Sequence, residues 1–246
     1  MKKLAKVDII SSFYLAISLL GLGLLAILTF NQTVPKTDFT WQKPLVGSIF
    51  SVICIFGIIV GLSPSSCSQI THFKTAERRN SHIAKRSNNE ETSIAFRGHH
   101  PICGNFASHV LSFGNRILCA GCTGLVTGAV LSLTGSLLYF FIGFSIGEFG
   151  VLVFWLGFLG VLCGLLQYKL PISNSYMHFI LNVIFVLGVF LLLVGVNSAN
   201  ESLTLDLYFL ALSVYWILTR IELSRAEHRK KCISCSLKTC SLSFNN

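Results

Sequence analysis

The stretch 99–125, HHPICGNFASHVLSFGNRILCAGCTGL, contains three histidines and three cysteines. Its last two cysteines, Cys119 and Cys122, form a C-x-x-C pair. The two sulfurs of such a pair reach a common point about 2.3 Å from each, so they can bind one metal ion. Gly121 gives the backbone freedom for that tight turn. The same spacing also suits a thiol–disulfide pair, or two small residues that pack at the start of a helix.

Residues upstream of this pair supply further candidate ligands. Pro101 disfavours the α conformation at the residue before it, so we expect 99–103 to be extended or to turn. If 105–112 forms a helical turn, a set of the Cys₃His type comes together, which is typical of structural zinc. Iron or an iron–sulfur cluster is the alternative that sulfur-rich ligands would suit. The candidate metal ligands here are Cys103, His109, Cys119 and Cys122, with His99 or His100 as a replacement for Cys103.

A second C-x-x-C pair, Cys232 and Cys235, follows the last apolar segment, and Cys240 comes five residues later. Packing is a poor explanation for cysteines in so polar a stretch. Two C-x-x-C pairs on the same side of a membrane can form a Cys₄ tetrahedron. The trio therefore predicts either a zinc site shared with the first pair or a second site.

The elements that must position these residues are long apolar segments. The chain has 246 residues, of which 52% are hydrophobic and 12% charged, and its mean hydropathy is +0.69. Soluble domains carry about 25% charged residues, and a membrane span needs about 18 mostly apolar residues. We predict an all-α, polytopic membrane protein with about six transmembrane helices, at roughly 9–30, 45–63, 117–142, 150–167, 177–196 and 205–221.

We predict that the first of these segments is a membrane helix that is retained, and not a signal peptide that is cleaved. Its apolar stretch is longer than the core of about 7–15 residues in a cleavable signal peptide, and no small-residue cleavage motif follows it.

The placement of Lys and Arg predicts the orientation. Nearly all of the 19 Lys and Arg residues precede the first span, lie in 64–116 or 168–176, or follow the last span. With six spans these regions share one side. We therefore predict a multi-pass protein of the cell (plasma) membrane with both termini in the cytoplasm. Cysteines on that reducing side favour metal or thiolate chemistry over a disulfide framework.

The same charge pattern predicts the partners. A net charge of +9 indicates contact with the lipid bilayer and with anionic lipid headgroups at the cytoplasmic face. The basic stretch 74–97 lacks the interleaved aromatic residues of a stacking surface, so we expect no nucleic-acid partner. The sequence identifies no protein partner.

The spans divide the chain into four predicted parts. They are a two-helix N-terminal hairpin at 1–63, a cytoplasmic Cys/His-containing loop at 64–116, a four-helix membrane bundle at 117–222 and a cytoplasmic Cys-rich tail at 223–246.

Glycine spacing predicts close helix packing within the bundle. Small-xxx-small pairs occur at Gly124 and Gly128 and at Gly160 and Gly164, a spacing that lets membrane helices approach closely. We expect the third helix to be the central, tightly packed one, so that a metal at its start is held by a rigid element.

The remaining cysteines and histidines in or near the spans have simpler interpretations. We interpret Cys54 and Cys163 as small apolar fillers, and His178 as a side chain at the membrane interface.

The run HHPICGNF…NRILCAGCTGLVTGA resembles the signature of a family of uncharacterised polytopic membrane proteins from bacteria and archaea, known as a domain of unknown function. In that family a Cys/His segment precedes a C-A-x-C-T-G motif that opens a glycine-rich helix. Cys119, Ala120, Cys122, Thr123 and Gly124 match the motif. The chain departs from it at Gly121, where many members carry arginine, and in the order of its upstream HHPxC. The resemblance supports a site and implies no reaction.

Three functions stay open. The first is a non-enzymatic membrane protein whose cytoplasmic zinc-type site serves a structural, sensing or interaction role. The second is a membrane thiol–disulfide oxidoreductase that uses C-x-x-C, and the third is a transporter of an apolar or uncharged molecule. Coupling to ions is disfavoured because Asp, Glu, Lys and Arg lie only near the ends of the spans. With no H-E-x-x-H, G-x-S-x-G or nucleotide-binding motif, we assign no catalytic or cofactor-binding residue.

Overall fold

The computed structural model describes residues 2–31, 40–62, 95–97, 109–113, 116–170, 172, 174–200 and 202–233. These residues form six long helices. They are α1 (Lys2–Phe30), α2 (Gln42–Leu62), α3 (Ala120–Ser136), α4 (Gly150–Leu166), α5 (Ser175–Ala199) and α6 (Leu203–Ile233).

All six helices are long and apolar enough to cross a membrane. The qualifying spans are Asp8–Phe30, Gln42–Leu62, Ala120–Ile142, Gly147–Lys169, Ser175–Ala199 and Leu203–Lys230. The prediction of a helical chain with six segments long and apolar enough to span a membrane is confirmed. The third span is completed by a π-helical stretch, Leu137–Ile142, and the fourth by short 3₁₀ turns, Gly147–Phe149 and Gln167–Lys169. The last helix continues past 222, into the segment that the sequence suggests is the start of the tail.

Contacts between helices fix their relative directions. The α1 and α6 helices are antiparallel, because Asp8 pairs with Lys230 while Ser18, farther along α1, bonds to Thr219. Gly61 at the end of α2 lies against Val126 near the start of α3. The starts of α1, α3 and α5 and the ends of α2, α4 and α6 therefore share one end of the bundle. We call it the cysteine end, and the opposite end the far end.

The centre of the bundle is α5, and the expectation that α3 occupies the centre was wrong. Half of the α5 span and half of the α6 span are buried, against one third of the α3 span. The α5 helix packs against both α3 and α4. At each of these two interfaces a glycine allows the helix backbones to approach closely. A β-carbon built at Gly124 of α3 would lie 2.5 Å from the carbonyl oxygen of Phe179, and one at Gly157 of α4 would lie 2.5 Å from the backbone nitrogen of Leu192. The prediction of close packing at glycine is confirmed.

A small sheet precedes α3 at the cysteine end. Its strands are β1 (Ala95–Arg97), β2 (Val110–Phe113) and β3 (Arg116–Cys119), in the order β1-β3-β2. The central strand pairs parallel with β1 and antiparallel with β2, with Val110 opposite Cys119. The condition that 105–112 forms a helical turn is therefore not met at 110–112, because these residues form ladder hydrogen bonds with the strand that leads into α3. Residues 105–108 lie outside the described residues.

The outer surface of the bundle is apolar. Large side chains such as Ile9, Leu20, Ile59 and Leu159 are more than half exposed, and they lie on helices that qualify as membrane spans. A surface of this kind is compatible with surrounding lipid.

Candidate metal site at the cysteine end

The C-x-x-C pair lies at the junction of β3 and α3. Cys119 is the last residue of β3 and the N-cap of α3, with extended φ and ψ of −72° and 122°. It is buried, whereas Cys122, in the first turn of the helix, is half-buried. The sulfur of Cys119 lies over the helix start, 3.9 Å from where a β-carbon at Gly121 would be. The strand ends and the helix begins between the two cysteines, so both residues lie at the start of α3.

The first turn of α3 is held by side-chain hydrogen bonds to its own backbone. The hydroxyl of Thr123 donates to the carbonyl of Cys119 at 2.9 Å, and that of Thr127 donates to the carbonyl of Thr123 at 2.9 Å. The partial positive charge of a helix N-terminus favours thiolate sulfur there. The junction is therefore both fixed in position and suited to anionic ligands.

His109 lies beside this junction and connects it to two other helices. It directly precedes Val110, the residue opposite Cys119 in the sheet. Its ring stacks on that of His178 at the start of α5, with ring centroids 4.3 Å apart. Its Nε2 lies 3.4 Å from Oε1 of Glu227 on α6. One imidazole thus links the sheet to α5 and α6.

The structure changes the interpretation of His178. The sequence suggests an interfacial side chain, yet His178 is buried beneath His109. Its Nε2 is 3.3 Å from the carbonyl oxygen of Ile172, and its own carbonyl accepts a hydrogen bond from the Asn182 amide, one turn farther into the bundle. His178 is therefore part of the packed end of the bundle.

Below the histidines, Arg220 of α6 joins three helices. Its guanidinium donates to the carbonyl oxygen of Gly164 at 3.2 Å and to the Tyr168 hydroxyl at 3.4 Å, and it bonds closely to Oδ1 of Asn182. It also lies over the ring of Phe185, 4.3 Å from the centroid, a cation–π contact. Arg220 is only 5% exposed.

This burial corrects one expectation. The sequence places ionisable residues only near the ends of the spans, but the last span runs on to Lys230, so Arg220 lies well inside it. Asp206, near the start of the same helix, is fully buried too.

The predicted ligands fall into two groups. His109, Cys119 and Cys122 all lie at the cysteine end. Cys232 lies in the last turn of α6, where only its backbone is described. Within the described part of the chain, no three His, Cys, Asp or Glu side chains lie close enough together to hold a metal ion. The other predicted ligands lie outside the described residues; they are His99, His100, Cys103, Cys235 and Cys240.

The direction of α6 bears on the tail cysteines. Glu227, which contacts His109, precedes Cys232 by five residues on the same helix. At a rise of about 1.5 Å per residue, Cys232 lies about 7.5 Å farther along the axis. The helix therefore carries the start of the CISC sequence to the same end of the bundle as the first C-x-x-C pair.

Of the two cysteines interpreted as fillers, Cys54 is buried in the core and Cys163 is exposed on α4. The filler interpretation thus fits Cys54, while Cys163 lies on the outer surface of the bundle.

Sequence reasoning missed Glu227 and Arg220 as participants at this end. They are seven residues apart on α6, two helical turns, and so lie on one face. His178 and Asn182 are four residues apart on α5 and also share a face. On α5, polar residues at this spacing in an otherwise apolar helix were the signal. Glu227 lies in the charged stretch 220–231, RIELSRAEHRKK, where it does not stand out.

Comparison with known proteins gives no significant match. No protein-family model fits the chain, and no curated protein or solved structure is similar to it.

Proposed function

We propose that this chain is a multi-pass protein of the cell (plasma) membrane that holds a zinc-type metal site at its cytoplasmic face, in a structural, sensing or interaction role. The observation that carries the proposal is a juxtaposition. Three features meet at one end of the bundle: the C-x-x-C junction of Cys119 and Cys122, His109 directly before β2, and the end of α6 that leads to Cys232. We also infer membership in the family with the C-A-x-C-T-G motif from the matching residues.

The environment of His109 supports a ligand role. A metal-binding histidine usually donates its second ring N–H to a carboxylate or carbonyl oxygen, which fixes the tautomer and the ring orientation. Glu227 lies on the Nε2 side of His109, and the stacked ring of His178 restricts rotation. If Nδ1 of His109 binds the metal, its Nε2–H is placed to donate to the Glu227 carboxylate.

The site needs at least one further ligand from outside the described residues. Cys103, with His99 or His100 as replacement, would complete a single Cys₃His site. Alternatively Cys232 and Cys235, with Cys240 nearby, would complete a Cys₄ site with the first pair, or form a second site. Zinc is the expected metal because mixed Cys and His ligands in a closed tetrahedron suit it. Iron or an iron–sulfur cluster is the alternative.

The charge pattern supports the cytoplasmic assignment. The cysteine end includes the start of α1 and the end of α6, and the flanking sequences are rich in Lys and Arg. By the positive-inside rule this end faces the cytoplasm, where thiols stay reduced and available to a metal. Its basic residues would also contact anionic headgroups of the bilayer.

In this role the metal would act as a connector. Ligands from the segment before α3 and from the tail are far apart in the sequence, and one ion would tie them to the bundle. The free energy of metal binding then contributes to folding. Loss of the metal would release these segments, which is how a sensing role would arise.

Elemental analysis of the purified full-length protein tests the proposal. We expect about one or two equivalents of zinc or iron per chain, since a Cys/His tetrahedron holds one ion. Cys119→Ser should reduce the metal content, and Cys163→Ser, which changes an exposed thiol on α4, is the matched control. Cys232→Ser then distinguishes a shared site, where the same ion is lost, from a second site. Wild-type protein with far less than one equivalent, unchanged by Cys119→Ser, would overturn the proposal.

A second candidate function is thiol–disulfide exchange. It is favoured by the position of Cys119 and Cys122 across a helix start, where thiolates are stabilised. Alkylation of intact cells decides it, because a reagent that cannot cross the membrane should leave both thiols unmodified if they face the cytoplasm. Modification from outside would favour the oxidoreductase, since enzymes that form exported disulfides need external thiols.

A further inference from the structure

The far end of the bundle contains a cavity of about 160 Å³. It is partly open and is bordered by the start of α2, the end of the third span, the α3–α4 connection and the end of α5. The polar side chains that line it are Lys43, Tyr139, Ser145, Asn197 and Ser198. The connection wraps around it because Gly143 and Gly147 adopt positive φ angles of 83° and 52°, which other residues rarely adopt.

A buried hydrogen-bond network fixes the inner wall of the cavity. The Tyr139 hydroxyl donates to Oδ1 of Asn197 at 3.2 Å, and the Asn197 amide donates to Oδ2 of Asp206 at 2.9 Å. The Gln42 amide donates to the same carboxylate oxygen at 3.0 Å. Asp206 is fully buried and does not line the cavity. Its role is to hold Asn197, and through it Tyr139, in one orientation.

Three polar groups that line the cavity lie outside this network: the Lys43 ammonium and the hydroxyls of Ser145 and Ser198. Lys43 carries the only formal charge among the lining side chains, and its ammonium lies 5.9 Å from the ring centroid of Tyr139. Ser145 accepts a hydrogen bond from the backbone of Gly147, so its hydroxyl can donate in turn. Ser198 adds a further hydroxyl. Lys43 is exposed and makes no salt bridge with any residue that the structure describes.

The surroundings of the cavity match the boundary between water and lipid. Phe144 lines it and is 67% exposed, while Trp41, two residues before Lys43, is 51% exposed. Exposed aromatic side chains at the ends of spans are typical of the headgroup level of a membrane. A ligand here can therefore enter from the solution or belong to the lipid.

We propose that this cavity binds a phosphate-type anion, held by the Lys43 ammonium and the hydroxyls of Ser145 and Ser198. The anion is the phosphate of a phospholipid headgroup or a soluble phosphate, which share this chemistry. Asp206 lies within electrostatic range of Lys43, but two amide donors bind its carboxylate and it stands outside the cavity. The site is independent of the metal proposed at the cysteine end.

The test uses full-length protein in detergent and two probes. Short-chain phosphatidylglycerol is titrated and counted by native mass spectrometry, with a diacylglycerol that lacks phosphate as control lipid. Inorganic phosphate is titrated separately by calorimetry. The variants are Lys43→Gln, Lys43→Arg and, as a matched charge control at the cysteine end, Lys169→Gln. Melting curves confirm that each variant is folded.

We expect one phosphate-bearing ligand per chain that depends on Lys43, with a loss of affinity of about tenfold or more in Lys43→Gln, as for one charge-assisted hydrogen bond. Lys43→Arg and Lys169→Gln should bind as the wild type does. Binding of phosphatidylglycerol alone identifies a lipid ligand, and equal binding of inorganic phosphate identifies a soluble one. The proposal is overturned if neither probe binds, if diacylglycerol binds equally well, or if Lys43→Gln and Lys169→Gln weaken binding to the same degree.

Discussion

The two ends of the bundle each bury an ionisable residue of α6, and they stabilise it differently. At the cysteine end, the Arg220 cation is surrounded by neutral acceptors from α4 and α5 and by aromatic faces. At the far end, the Asp206 carboxylate receives two amide donors on one oxygen, while its other oxygen has no partner among the described residues.

The two buried side chains differ in how many hydrogen-bond partners they have. An arginine fork bonds several acceptors at once, so it draws α4, α5 and α6 together without a carboxylate partner. Among the described residues, two buried polar atoms at the far end have no partner, Oδ1 of Asp206 and Oγ of Ser202, against one at the cysteine end, Nε of Arg220. The far end also contains the cavity. The cysteine end is therefore suited to hold a site rigidly, and the far end to admit a ligand.

The largest loss of stability is expected from removing the guanidinium of Arg220. Arg220→Leu leaves the Asn182 amide oxygen, the Tyr168 hydroxyl and the Gly164 carbonyl without this donor. Each buried group left unsatisfied costs about 1–3 kcal/mol, partly offset by removing a buried charge, so we expect a loss of about 2–4 kcal/mol in the free energy of unfolding. Denaturant titration in detergent measures it.

Arg225→Leu is the matched control on the same helix. Arg225 forms only a partly exposed pair with Glu222 at 2.6 Å, and such pairs contribute about 0–1 kcal/mol. Equal losses from the two substitutions would show that Arg220 does not connect the helices.

A smaller effect is expected at the far end, and it depends on the replacement. Asp206→Ala leaves the amides of Gln42 and Asn197 without their acceptor, at a cost of about 1–3 kcal/mol. Asp206→Asn keeps one acceptor oxygen and places an NH₂ group where the carboxylate has no partner, so its loss should stay below about 1 kcal/mol. The same denaturant titration compares them. If Asn destabilises as much as Ala, the carboxylate charge itself is required and the contrast between the two ends fails.

The smallest effect on stability is expected at Glu227. Its contact with His109 is 3.4 Å long and partly exposed, so Glu227→Gln should change the free energy of unfolding by less than about 1 kcal/mol. Its effect on metal affinity should be larger, a weakening of about tenfold or more. Removing a carboxylate that orients a ligating histidine typically weakens metal binding by that factor. Competition with a zinc chelator measures the affinity.

Glu222→Gln, one residue of the Arg225 pair on the same helix, serves as its control and should leave zinc affinity unchanged. A matching loss in both variants would assign the effect to surface charge and remove His109 from the proposed ligand set.

The helical membrane fold was predictable because it depends on composition and length. Apolar segments long enough to span a bilayer leave few alternatives, and the six predicted spans agree with the six helices. Glycine spacing predicted close packing but not its centre. Gly124 and Gly157 lie on α3 and α4, yet both pack against α5, since a glycine marks a close approach and not the partner.

The sheet before α3 was not predicted, although a signal was present. The sequence Gly114-Asn115 separates the two paired strands, and such a pair is typical of a two-residue hairpin connection. Burial of His178 depended on where the His109 strand docks, and the position of Arg220 on how far α6 continues. Both depend on tertiary structure, which the residue pattern of a single helix does not reveal.

The central claim is that Cys119 and Cys122 bind a metal at the cysteine end. X-ray absorption at the zinc edge of the purified protein tests it most directly. The account predicts sulfur neighbours at about 2.3 Å, with nitrogen at about 2.0–2.1 Å if His109 is a ligand, and loss of two sulfurs in the Cys119→Ser, Cys122→Ser double variant. A shell of oxygen and nitrogen alone, or a sulfur shell that the double variant leaves unchanged, would contradict it.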